Sequence, residues 1–132
     1  MARGLPDALQ LREIKYGPKT SAAERSQVAR RLAEAGRLAE ALDLFLLAGD
    51  EGGEAETRRH AFAEGYPVLL LMLRRAGRTI PSDEWRQAAQ AAGRAGRWRD
   101  AFRCYSEAGD EDGLAAVRDK LPDYAIYTPQ GK

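Results

Sequence analysis

One phrase is written twice in this chain: AGRLAEALDLFLLAGDEGG at residues 35–53 and AGRWRDAFRCYSEAGDEDG at 95–113. A repeat of this length restricts the fold to architectures that build one supersecondary unit more than once. Each copy carries a glycine, then an alanine, an aromatic four residues on and a second alanine three beyond that. These are Gly36, Ala41, Phe45 and Ala48 in the first copy, and Gly96, Ala101, Tyr105 and Ala108 in the second. The apolar set Leu38, Ala41, Leu42, Phe45 and Leu46 follows the helical period rather than strict alternation. Each phrase therefore predicts the second helix of a hairpin. Small residues let two backbones approach closely, and the aromatic fills the space beside them. Such a hairpin cannot bury its apolar face alone, so copies must stack.

The punctuation between these phrases is consistent with helices throughout. Ser21 and Glu24 form an S-x-x-E capping box that opens a helix with Val28 and Leu32 on one face. Gly49 suits the left-handed position past a helix end, and Asp50 caps the next helix. Gly65 and Pro67 break a polar helix, and Pro67 suits the first turn of its successor, whose VLLLML run should be the most buried segment. Ser82, Asp83 and Glu84 place caps and negative charge at another helix start. Near the beginning, PDALQLREI reads as a short helix whose Leu9 and Ile14 cover the first hairpin. The prediction is an all-α chain with hairpins at about 20–48, 53–76 and 82–108 and a capping helix at 111–121. Residues 1–121 then form one domain, and 122–132 a tail.

At these residues the chain resembles the tetratricopeptide repeat family. Trp85 stands where the family's opening tryptophan belongs, Ala88 and Ala89 take its Leu-Gly places, and Ala92 replaces its tyrosine. Gly96, Trp98, Ala101, Tyr105 and Ala108 then fall at the turn, packing and close-approach positions. The first hairpin matches through Ala29, Leu32, Gly36, Leu38, Ala41, Phe45 and Ala48, with Arg25 in place of the tryptophan. Both hairpins end in AGD, which looks more like the looser helical solenoids of trafficking and scaffold proteins. The resemblance covers about residues 20–110. It implies a right-handed stack of antiparallel hairpins, an α-solenoid, and protein binding as the function. The family's Lys/Asn/Arg clamp for a terminal carboxylate is not reproduced.

Composition narrows the function further. The 21 basic and 20 acidic residues leave a net charge of +1, unlike nucleic-acid-binding domains, whose pI usually exceeds about 9. No secretory signal is visible, and the longest apolar run, Val68 to Leu73, spans about 9 Å as a helix. The reading is a soluble, cytoplasmic protein. Cys104 is the single cysteine and His60 the single histidine, neither in a setting for nucleophilic catalysis or metal binding. The segment DEGGEAE is acidic and would repel phosphate. Neither enzyme chemistry nor a cofactor is expected.

That leaves a partner protein. Helical spacing puts Ser26, Arg30 and Glu34 away from the Val28/Leu32 side, and Arg86, Gln90 and Arg94 occupy the equivalent face of the third hairpin. First helices line the concave face in such stacks. The expectation is that Arg30, Arg86 and Arg94, with Glu34 and Gln90, bind an acidic or C-terminal segment of another protein. The competing reading is a solvated face whose arginines pair with nearby acids. The tail offers Tyr124, Ile126 and Tyr127 for docking, onto the final helices or onto a neighbour. Self-assembly of the stack into a homo-oligomer is the second functional reading.

Overall fold

A computed structural model describes residues 5–121. Among the described residues there are eight α-helices and no strand: α1 (Ala8–Tyr16), α2 (Ala22–Glu34), α3 (Leu38–Ala48), α4 (Glu51–Glu64), α5 (Pro67–Arg75), α6 (Ser82–Arg94), α7 (Trp98–Ala108) and α8 (Glu111–Arg118). The packing divides into two compact units, Met1–Arg58 and Arg59–Lys132, with the division inside α4. Residues expected as a middle hairpin thus form α4 and α5, and α4 belongs in part to each unit. No helix among the described residues is long and apolar enough to cross a membrane.

In the first unit, α2 and α3 pair extensively along their lengths. The capping box is formed as expected: Glu24 N–H donates to Ser21 Oγ at 3.1 Å, and Ser21 N–H to Glu24 Oε1 at 2.9 Å. This satisfies two backbone donors that a helix start otherwise leaves open. Val28, Ala29 and Leu32 then meet Ala41, Leu44 and Phe45 in one apolar cluster, which Leu11 of α1 joins and against which Ile14 packs. Leu9 departs from the expectation that it covers this hairpin: it is 77% exposed. A second capping box, Asp7 with Gln10, sets the register of α1. Leu11 and Ile14, three residues apart, then point inward, and Leu9 faces out.

Arg25, which stands where the second copy of the repeat has Trp85, has a structural role of its own. Arg25 reaches back to the end of α1, donating from Nε to the Ile14 carbonyl at 3.0 Å and from its terminal nitrogen to those of Lys15 and Gly17. Helix ends leave carbonyls without intrahelical partners, and a guanidinium satisfies several at once. Arg25 serves that end where an indole could not.

In the second unit, α6 and α7 form the matching hairpin, and α7 also packs on α8. Trp85, Ala88, Ala89, Ala91 and Ala92 of α6 are buried. Ala92, Ala101 and Val117 form a cluster flanked by Trp98, Phe102, Tyr105 and Leu121. Four alanines in α6 bring its backbone close to its neighbours. Gly65, with φ +82°, lies so near that an added Cβ would stand 2.5 Å from Ala88 O and Ala92 N. Arg97 closes the same junction: it donates to the Gly65 carbonyl at 2.6 Å and to that of Glu64, and stacks 4.8 Å from the Tyr66 ring.

Three local expectations change here. Pro67 does open α5, and Leu69, Leu70 and Leu73 are buried, but Val68 is 59% exposed, since one side of a helix cannot hold six consecutive residues. Ser82 is the first residue of α6 rather than its cap; Pro81 occupies the cap position without a side-chain bond. The last helix ends at Arg118, before Leu121.

Candidate functional site

The twice-written phrase builds one closure twice. At the end of α3, Gly49 takes φ +69°, and Asp50 Oδ1 accepts from Gly53 N–H at 3.0 Å, starting α4. At the end of α7, Gly109 also takes φ +69°, and Asp110 Oδ1 accepts from Gly113 N–H at 3.0 Å, starting α8. Both capped glycines receive the aromatic of the preceding helix. A Cβ on Gly53 would lie 2.2 Å from Phe45 Cδ1, and one on Gly113 would lie 2.2 Å from Tyr105 Cδ1. The ring thus occupies the space a side chain would take, and glycine is required there by contact. Each helix pair is locked to the helix after it by an acid, a glycine and a ring.

Arginines from the first helix of each hairpin brace these caps. Arg30 pairs with Asp50 at 3.2 Å, and Arg86 Nε with Asp110 at 3.1 Å; Arg86 also meets Asp83 at 2.9 Å. The Gly53 N–H first, then the Ser26 hydroxyl and Arg30, hold the Asp50 carboxyl below its usual range. Asp110 is lowered in the same way, by the Gly113 N–H first and then Arg86. Both caps stay ionised as acceptors, the form the closure needs. On the neighbouring surface Arg74 and Arg103 converge on Glu107 at 2.7 and 3.1 Å, and Arg74 leads in lowering that carboxyl.

The residues expected to meet a partner therefore fall into two sets. Arg30 and Arg86 already face carboxylates of their own units. Glu34, Gln90 and Arg94 are exposed, with no hydrogen bond or ion pair among the described residues. Glu34 belongs to the first unit, Gln90 and Arg94 to the second. The tail residues Tyr124, Ile126 and Tyr127 lie outside the described residues.

Groups with chemical potential are placed unremarkably. Cys104 is fully buried, and burial pushes its thiol up to about 12, so it stays protonated at neutral pH. His60 is exposed on α4. Among the described residues no group of three or more His, Cys, Asp or Glu is placed to hold a metal ion.

One surface is not marked by the sequence pattern. Leu9 and Tyr16, 77% and 68% exposed, stand seven residues apart on α1. They border an open hollow of about 460 Å³, with Arg12, Glu13, Gly17 and Pro18 as its other walls. A second hollow of about 370 Å³ lies between α1 and α2, lined by Ile14, Val28, Glu13 and Arg31 among others. The seven-residue spacing of two large apolar side chains was the available signal.

Comparison with models of known families, with characterised proteins and with solved structures finds no match.

Proposed function

We propose that this chain is a non-catalytic scaffold of tetratricopeptide-like hairpins that binds another protein through the outward faces of α2 and α6. The observation that carries this reading is the duplicated closure. A chain that rebuilds the same acid–glycine–aromatic lock at Gly53 and Gly113 repeats one helical building unit, as repeat scaffolds do. Of the residues expected to meet a partner, Glu34, Gln90 and Arg94 are the ones left for it, because Arg30 and Arg86 serve the caps. In this reading the hairpins stack as a right-handed solenoid, and self-assembly is the alternative use of the same stack.

Arg94→Glu combined with Gln90→Ala tests the proposal without disturbing a cap. Affinity capture with the full chain should lose or weaken its main partners while thermal stability stays within about 0.5 kcal/mol, as for exposed positions. An unchanged set of partners at unchanged affinity would overturn it. Arg30→Glu is a poorer probe, since it places a carboxylate against Asp50.

A further inference from the structure

We propose that residues 122–132 dock back onto the aromatic face of α7, with Trp98, Phe102 and Tyr105 as their seat. The three rings stand at the i, i+4, i+7 spacing that puts side chains on one face of a helix. All three pack against the cluster of Ala92, Ala101 and Val117, yet each stays partly exposed. The repeat supplies the comparison. Sixty residues earlier, Leu42 and Phe45 hold the places of Phe102 and Tyr105, and they are 0% and 3% exposed. The same face is thus closed in the first hairpin and partly open in the second. Single exposed apolar residues are ordinary, whereas a contiguous row of them marks a contact surface.

The path of the chain selects the occupant. Leu121, the last described residue, packs against the same cluster, and the Lys120 ammonium lies 5.5 Å from the centre of the Trp98 ring. Residue 122 therefore begins beside the aromatic row. From Trp98 to Tyr105 that row runs about 10 Å, at about 1.5 Å per residue. Residues 122–127 span about 20 Å when extended, so Tyr124, Ile126 and Tyr127 can all be laid along it. Two tyrosines and an isoleucine supply the large apolar surface that half-covered rings take up. A segment tethered this closely has an effective concentration in the millimolar range, above that of a second copy or another protein free in solution.

None of Glu34, Gln90 and Arg94 takes part, so this inference and the binding proposal can fail separately. The test is isotope-filtered Overhauser spectroscopy on the full chain. Contacts from the Ile126 methyls to the Trp98 and Phe102 rings are expected in uniformly labelled protein. In a mixture of labelled and unlabelled copies, no such contact should cross from one copy to the other. A second measurement uses Tyr124→Ser, Ile126→Ser and Tyr127→Ser made together. Uncovering Trp98 should shift the tryptophan emission to the red, while far-ultraviolet circular dichroism stays that of the parent. Absence of the contacts in the parent protein, or unchanged emission in the variant, would overturn the inference. So would contacts found only between copies, which would give the face to a second chain.

Discussion

Gly65→Ala should destabilise the protein by about 2–5 kcal/mol. Two costs add at this position. The residue takes φ +82°, a left-handed conformation that costs an L side chain about 1–2 kcal/mol. The new Cβ would also stand 2.5 Å from Ala88 O and Ala92 N, and overpacking of this kind costs about 1–3 kcal/mol. Both atoms belong to the α6 backbone, so no rotamer change relieves the contact. Separation of α6 from this junction would in turn lengthen the Arg97 bonds to the Gly65 and Glu64 carbonyls. Urea denaturation with linear extrapolation measures the loss, and a change below about 0.5 kcal/mol, the range of surface substitutions, would contradict it.

Trp85→Ala carries a similar expected loss by a different route. The indole is 2% exposed, and removing a buried tryptophan costs about 3–5 kcal/mol through lost transfer energy and the cavity left behind. Alanines dominate the rest of the buried face of α6, so no larger side chain on that helix can move in to fill the space. Arg74, whose guanidinium lies 5.6 Å from the ring, would lose its aromatic partner while keeping Glu107. Against the 5–15 kcal/mol typical of a domain, the variant should be partly unfolded or nearly so at room temperature. Far-ultraviolet circular dichroism during heating checks this. A melting curve coincident with the parent's would place Trp85 outside the core.

Local chemistry made much of the fold legible. The Ser21 box, the Asp50 cap, Gly49 and Pro67 act over three or four residues, and each sits where the sequence places it. The helical period likewise marked Leu32, Ala41 and Phe45 as inward. What escaped depends on direction or on distance along the chain. Leu9 and Val68 looked buried because hydropathy reports how apolar a residue is, whereas the helix register decides which way it points. Arg30 and Arg86 looked available because the cap acids Asp50 and Asp110 lie 20 and 24 residues away, beyond any window that periodicity examines, although Asp83, three residues before Arg86, was within reach of one. Arg25 reads as a lapse in a repeat until the α1 carbonyls it satisfies are in view. The contacts of Gly53 and Gly113 are implicit in the duplicated phrase, each glycine eight residues after its aromatic. Their meaning required the ring positions.

The duplicated lock is most directly tested by proton nuclear magnetic resonance of the intact chain. Gly53 Hα should show strong Overhauser contacts to the Phe45 ring, and Gly113 Hα should show the same to the Tyr105 ring. Both sets should vanish selectively in Phe45→Leu and Tyr105→Leu. If either glycine shows no contact to its aromatic in the folded parent protein, the two hairpins do not share a closure and the scaffold reading loses its foundation.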